Sequence, residues 1–481
     1  MASYLSRDFT GTSTNADKFT LSFWWRISII DEVDMLMSNT ETAGNYSFEI
    51  THLADNRLKI IQWDNGVTAQ YITTRLFRDC TSWYHIVISA DSTQATAANR
   101  LKLYVNGVEV VKFDTETDIA QNTDYTWNVE RPSTSNGWRI GNNYNATQPF
   151  RGYLAHIHNV DGLALAATVF GETDSTTGEW KPILTPSVTY GTNGWFLKFE
   201  NSGALGTDSS GNSATFTVSG DLKQSISTPS NLFCTLNPLE TYNTNVNTAI
   251  KYGATGFEDA NYGSDGPKGS VGILATTGGK WYFEVKHVEG MYSTAGISKA
   301  NTLAVSKMLN TTYRSPFIQG NEGDGFGFQM DTATLIQRGD NTEAQWYQSD
   351  GSTNIANFAD GDICMIAYDL DAGKIWWGKN GTWLDAPGTS NTGNPATGAN
   401  AHKTWTANGA FFRPAVSCYQ RSYGGGAGAN PNSVQCNFGE GRFGTTAVSS
   451  AVADGDGNGA FEYAPPSGFY AVCTKALKSR S

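Results

Sequence analysis

Gly361 to Leu384 reads GDICMIAYDLDAGKIWWGKNGTWL, a pattern of strand, turn, strand, turn, strand. Ile363, Met365 and Ala367 alternate with Cys364, Ile366 and Tyr368, so the run is apolar on both faces. Such a strand belongs inside a sandwich, covered twice. Asp369 to Gly373 carries turn chemistry, because acidic side chains bond the local backbone and Gly tolerates positive φ. Lys374 to Lys379 returns as a second strand bearing Trp376 and Trp377, and alternation sends at least one of them into the core. Asn380-Gly381 predicts a type I′ turn, which needs positive φ at both central residues. A lone hairpin is marginal in water, so this one demands a sandwich around it.

The composition agrees. Charged residues make up 16% and aromatics 12% of 481 residues, with 51 Gly and 14 Trp. That describes short strands joined by polar turns rather than a helical protein. The chain has 33 basic against 45 acidic residues, a net charge of −12, and no Lys/Arg run, so no nucleic-acid partner is expected. Cys80, Cys234, Cys364, Cys418, Cys436 and Cys473 are scattered without a C-x-x-C, which argues against zinc and against a dense disulfide framework. No apolar run is long enough to span a bilayer, so no membrane insertion is expected. Met1 to Thr20 lacks the apolar segment of a signal peptide, and folding in a cytosol is expected.

Upstream, Phe19, Leu21, Phe23, Trp25 and Ile27 alternate with Thr20, Ser22, Trp24 and Arg26, which predicts a half-buried strand. Further strands are expected at Tyr46 to Ile50, Leu58 to Trp63, Trp83 to Ser89 and Phe150 to His158. Leu101 to Phe113, LKLYVNGVEVVKF, is a second Asn-Gly hairpin, with Val108 to Phe113 as its return strand. Taken in order, FTLSFWWRI, WYHIVISADS, LKLYVNG and FRGYLAHIHNVDG resemble the concanavalin A-like, LamG-type jelly roll over residues 1–200.

Residues 201–240 read as a connector, with its first apolar cluster just upstream. Trp195, Phe196, Leu197, Phe199 and Phe216 are too apolar for a structureless linker, so the segment is expected to pack on the modules as extra strands. Its wording, GTNGWFLKF, DSSGN and TPSNLFCTLNPL, resembles segments that follow a LamG-like module in virion proteins of tailed bacteriophages. GLALAATVFGET and GEWKP before it, and APPSGFYAVCTKAL near the end, resemble the same proteins. In residues 241–481, GGKWYFEVKHVEG, GDGFGFQM, the opening stretch, FFRPAVSCY and VQCNFGEGRF stand in the order of a SPRY domain and resemble one. The fold expected is all-β: two antiparallel β-sandwich modules, a concanavalin A-like jelly roll and then a SPRY sandwich, joined by a packed connector.

Glycosidases on the jelly-roll fold carry E-x-D-x-E on one strand, to set a nucleophile and an acid on the same face. Here Glu32-Val-Asp34 is followed by Met35, Leu36 and Met37, so the second Glu is missing. Asp31 to Asp34 reads as a solvated turn, and no catalytic residue is assigned. His156 and His158 lie at i, i+2 without partners at ligand spacing and read as ordinary strand histidines. Some LamG modules bind Ca²⁺, which makes Asp31, Asp34, Asp91 and Asp161 loop candidates, yet spacing alone does not converge enough oxygens. No cofactor and no metal site is therefore assigned. Sugar binding stacks a ring on an aromatic face and satisfies hydroxyls with amides. Trp138 with Asn142, Asn143 and Tyr144, and Trp346 with Tyr347, suit that chemistry. The polar inserts Asp385 to Lys403 and Gln420 to Asn432 stand where a SPRY module would carry partner-binding loops.

Together these resemblances imply a virion protein on the particle exterior: a tail fibre, tail-associated adhesin or capsid decoration. Its expected partners are other virion proteins, further copies of itself, and a host surface glycan or protein. No coiled coil or fibre repeat is visible, and the first module begins almost at once, so attachment through a folded surface is expected. A glycanase on the jelly-roll fold and a purely architectural decoration are the alternatives.

Overall fold

Ile363–Asp369 is buried at every position and pairs antiparallel with Lys280–Glu289 on one side and Lys374–Lys379 on the other. Asn380 at φ 47° and Gly381 at φ 87° close the type I′ turn. Asp369 Oδ1 accepts the N–H groups of Asp371 and Ala372 at 3.0 and 2.9 Å and shapes the turn before it. Trp376 and Trp377 are both fully buried, one on each face of the sheet. Trp377 Nε1 donates to the Ala295 carbonyl at 2.9 Å, and Trp376 Nε1 donates to the Ala399 carbonyl at 2.8 Å. The second cover comes from the described part of the polar insert, where Lys403–Thr404 pairs with the Lys374–Lys379 strand.

The structure, a computed structural model, describes residues 3–9, 11–40, 45–129, 137–241, 250–259, 268–290, 293–300, 325–330, 334–339, 342–346, 358–385, 391–418 and 432–480. Contacts divide the chain into two units, Met1–Gln224 with Thr228–Ser230, and Ser225–Ser227 with Asn231–Ser481. Residues 201–240 are shared between them. Thr217–Ser219 pairs with Tyr4–Asp8 in the first, and Leu236–Thr241 pairs with Lys268–Gly272 in the second. Trp195–Leu197 pairs with Gly152–Asp161, and Trp195, Phe196, Leu197 and Phe216 are buried, so this apolar run supplies strand and core.

The first unit stacks an eight-stranded sheet on a six-stranded one. The larger runs Phe113–Thr117, Val67–Leu76, Arg57–Asp64, Tyr46–His52, Asp34–Thr40, Gly137–Ile140, Tyr4–Asp8, Thr217–Ser219. The smaller runs Trp195–Leu197, Gly152–Asp161, Lys18–Ile27, Tyr84–Asp91, Leu101–Val105, Val108–Glu109. Phe19, Leu21, Phe23 and Trp25 fill the core between them. Lys18–Ile27 is not half-buried as its alternation suggests, because every residue after Lys18 is buried. Its polar face lies under a covering layer in which Ala167, Phe170 and Tyr190 pack on Val160 and Phe196 of the same sheet. The return strand of the Asn106-Gly107 hairpin is also shorter than expected. Only Val108–Glu109 pairs back, and Phe113–Thr117 crosses to the edge of the eight-stranded sheet.

The second unit sets a seven-stranded sheet against a nine-stranded one around a core that includes Phe283, Phe326, Phe328, Tyr368 and Trp377. Pairing between the described strands is antiparallel apart from Tyr470–Ala471, which runs parallel to Trp281–Tyr282, and an isolated bridge joins Glu440 and Ala460 in parallel. Among the described residues the one α-helix is Thr474–Lys478. Glu284, at mid-strand, has no exposed surface. Its carboxylate accepts from Tyr282 Oη at 2.9 Å, Asn437 Nδ2 at 3.0 Å, Glu462 N at 3.0 Å and Tyr463 N at 2.8 Å. One side chain thus ties the central strand, its neighbour and the 462–463 segment together. Glu284→Ala strands these donors without an acceptor and is expected to lower the unfolding free energy by about 3 kcal/mol. Glu284→Gln should lose roughly half of that. Chemical denaturation of the full chain measures both, and a loss under about 0.5 kcal/mol for Glu284→Ala would contradict the role.

Candidate functional site

The outward face of the eight-stranded sheet follows from the register. Gln70, Ile61, Glu49, Ser38, Arg139 and Ser6 stand opposite one another, strand by strand, in a single row. Their neighbours in sequence, Ala69, Ile60, Ile50, Ile140 and Leu5, point into the core. All six row residues except Ser38 keep solvent exposure. Trp63, two residues beyond Ile61 on the same face, is 39% exposed beside the exposed Val67. The Arg139 guanidinium lies over Tyr4, 4.8 Å from its ring centre, and over Tyr144 at 5.2 Å. The strands of Trp63 and Arg139 are three steps apart, about 14 Å. That separation suits a short oligosaccharide better than a single sugar.

The loop after Ile140 shapes this face. Asn142 is fully buried, and its Oδ1 accepts from Asn143 N at 2.9 Å and Gln148 N at 3.1 Å. Asn143 Oδ1 accepts from Thr147 N at 2.8 Å. The Ser38 hydroxyl donates to the Asn142 carbonyl at 3.2 Å and ties the loop to the sheet. Asn142 and Asn143 therefore build the loop, and Tyr144 is the member of the expected group that presents a ring. Trp138 does not. It shares the inward face with Ile140, has no exposed surface, and packs on Phe9 at 4.2 Å and Trp195 at 6.0 Å. Trp346 ends the strand Thr342–Trp346, its side chain lies outside the described residues, and so does Tyr347. Sequence reading passed over Tyr4, Trp63 and Arg139. The alternation in RLKIIQWD carried the signal for Trp63, since Lys59, Ile61 and Trp63 share the face opposite Leu58 and Ile60.

The carboxylates serve the fold. Asp34 is not in a solvated turn. It opens the strand Asp34–Thr40, is buried, and accepts from Arg151 Nε at 2.9 Å, while Arg151 also reaches Glu32 at 3.4 Å. Burial pushes its pKa up to about 7. Its carboxylate is thus buried and joined to an arginine. Asp91 pairs with Lys18, and Asp161 pairs across the sheet with Phe19, at one end of the strand Lys18–Ile27; Asp31 and Asp34 follow its other end. Nine steps of strand are roughly 30 Å, so the four cannot meet on one cation. Asp161 accepts from Ser13, Thr14 and Asn193, and Asp31 from Asn56. Asp454 to Gly459 has calcium-loop spacing, D-x-D-x-N-G, yet Asp454 accepts from Asp456, Asn458 and Ala471 backbone N–H groups. Among the described residues no three His, Cys, Asp or Glu side chains are grouped to hold a metal ion. No helix among them is long and apolar enough to cross a membrane.

The histidines are equally internal. Trp180 Nε1 donates to His85 Nδ1 at 2.9 Å, and an indole N–H can only donate. His85 therefore carries its proton on Nε2 and donates it to Ser22 Oγ at 2.9 Å. A serine that accepts from its histidine is not an activated nucleophile. His156 sits in a bulge at φ 46°, and His158 stacks 3.8 Å from Phe196 with Nδ1 2.9 Å from the Tyr190 hydroxyl. All six cysteines are buried free thiols.

Residues 3–170 match the family model of the concanavalin A-like lectin/glucanases superfamily, so the first unit contains a concanavalin A-like domain. Among solved structures, the chain is similar to the SPRY domain of human HERC1 at 15% identity, covering 42% of this chain and 96% of that one, with a TM-score of 0.25. It is similar to a putative carbohydrate binding protein from Bacteroides ovatus at 15% identity, covering 45% of this chain and 56% of that one, TM-score 0.32. It is also similar to the native heptameric SAP-like pentraxin of Limulus polyphemus at 13% identity, covering 34% and 78%, TM-score 0.22. No curated protein matches the chain.

Two outcomes follow. Trp138→Ala should cost about 3–5 kcal/mol of stability, measured by denaturation, because it empties core volume. Acid should also weaken the first unit before the second. Burial holds His52 near 4, His85 near 3, and His156 and His158 below the ordinary value, so unfolding takes up protons as pH falls from 6.5. His52 and His85 each cost up to about 1.4 kcal/mol per pH unit between 6.5 and their folded values, and His156 and His158 act in the same direction. Asp34, raised to about 7, adds stability as pH falls through 7 but is one group against four. In the second unit Glu284, raised to about 7, and His402, lowered to about 4, pull in opposite directions. Hydrogen exchange at pH 6.5 and 4.5 should show protection lost first in residues 3–224; loss first in the second unit would contradict the assignment.

Proposed function

We propose that this chain is a non-enzymatic recognition protein on the exterior of a tailed-phage particle, and that its first unit binds a host surface glycan. The observation that carries the glycan reading is the outward sheet face, where Tyr4, Arg139 and Tyr144 stack and Trp63 stands three strands from Arg139. Rings offer faces to sugar C–H groups, and Arg139, Glu49 and Gln70 offer donors and acceptors to hydroxyls. Support for the virion setting comes from the phage-like wording within residues 191–239 and 464–477. Support for a binding role comes from the buried, arginine-paired Asp34 and from a Ser22–His85 pair of the wrong polarity for attack. Copies of the chain and other virion proteins are the partners this setting implies.

The test uses purified full-length protein on an array of bacterial surface polysaccharides. Binding is expected for the wild type, and Trp63→Ala combined with Tyr144→Ala should weaken it at least about tenfold with thermal unfolding unchanged. Undiminished binding by a folded double variant would reject this face. Sustained release of reducing ends from any bound polysaccharide would reject the non-enzymatic role.

A further inference from the structure

One end of the second unit holds a cleft of about 640 Å³. Its walls are the turn from Ala275 to Gly279, Asp371, Phe411, and the segment carrying Tyr470, Lys478 and Arg480. These walls are built before any ligand arrives. Thr276 and Phe412 exchange two backbone hydrogen bonds of 2.8 Å each. Gly279 N donates to Asp371 Oδ1 at 3.0 Å, and Trp281 Nε1 donates to the Gly278 carbonyl at 2.7 Å. A Cβ at Gly278 would stand 2.8 Å from Asp371 Oδ1, so glycine lets the turn close on the carboxylate. On the far wall the Arg480 guanidinium covers the Tyr470 ring at 3.0 Å and donates to Asp456 at 2.7 Å. Tyr470–Ala471 is itself fixed by pairing with Trp281–Tyr282.

What these walls offer is one apolar face and a few polar groups. Phe411 is 50% exposed, and its ring is the apolar face of the cleft. Thr277 is exposed, and its hydroxyl makes no hydrogen bond to the described residues. Asp371 uses one oxygen for Gly279 and has the other in reserve. Lys280, partly exposed, pairs with Asp369 at 3.3 Å. The local charge nearly cancels, since Lys280, Lys478 and Arg480 stand with Asp371, Asp369 and Asp456. The whole chain is at −12. Neither balance attracts an anion, and the mixture of ring face, carboxylate, hydroxyl and ammonium matches a ligand with many hydroxyls and no charge.

We propose that this cleft binds a neutral saccharide of about one or two rings, stacked on Phe411 and hydrogen-bonded by Asp371, Thr277 and Lys280. The cleft is a second recognition site and does not rest on the reading of the sheet face in the first unit.

Saturation-transfer NMR on the full-length chain tests it. The probes are methyl glucoside, methyl galactoside, N-acetylglucosamine, maltose, cellobiose and lactose, with glucuronate as the anionic comparison. At least one neutral probe should receive saturation. Its affinity should fall at least about tenfold in Phe411→Ala and in Asp371→Asn, with unfolding unchanged. It should stay within about twofold of wild type in the Trp63→Ala, Arg139→Ala variant. Loss confined to that first-unit variant would place the sugar on the sheet face and overturn the cleft assignment while leaving the other reading intact. Saturation of glucuronate alone would overturn the chemical class, and no transfer to any probe at up to about 10 mM would overturn the site.

Discussion

A strand that water can reach on neither face needs two covers, and both units are arranged around that need. Lys18–Ile27 gives Phe19, Leu21, Phe23 and Trp25 to the sandwich core and turns Thr20, Ser22, Trp24 and Arg26 the other way. An unpaired polar group there would cost several kcal/mol. Thr20, Ser22 and Arg26 therefore have partners. Thr20 donates to the Leu163 carbonyl, Ser22 meets His85, and the Arg26 guanidinium lies 4.6 Å from the centre of the Tyr153 ring. Thr20 also accepts from Leu165 N at 2.8 Å and so ties the covering segment to the sheet. In the second unit Glu284 plays the same part, with Asn437 and the 462–463 backbone as its cover.

The same economy explains where the acidic chemistry went. Asp161, Asp208, Glu284 and Asp454 each accept two or more hydrogen bonds and anchor segments that have no regular pairing. Asp208, for example, holds Phe196, Ser210 and Ala214 through their backbone N–H groups. Groups engaged in this way are poor nucleophiles and poor cation ligands. Among the described residues, the outward sheet face and the cleft are two places where rings and long polar side chains keep exposure.

Much of this was legible in sequence. The Asn106-Gly107 and Asn380-Gly381 turns, the Leu101–Val105 strand and the doubly apolar Ile363–Asp369 strand all stand where their local chemistry puts them. Other strands were hidden. Asp34–Thr40 reads DMLMSNT, with no clean alternation, because a bulge at Met35–Met37 resets the period. Lys268–Gly272 and Thr294–Lys299 are rich in small residues that carry no strand signature. The candidate site was half legible. Of the residues named from sequence, Tyr144 presents a ring beside Arg139, whereas Trp138 is core, since an exposed and a buried tryptophan look alike until the facing strand is known.

The all-β class and the tight turns were legible in the sequence alone, because these depend on residues a few positions apart. Tertiary structure decided which face of each strand met a second cover. It buried Asp34, paired Trp180 with His85 across 95 positions, and brought Tyr4 and Tyr144 to the two sides of Arg139. Those outcomes depend on register between strands distant in the chain. A one-residue shift in register would exchange every inward side chain for an outward one.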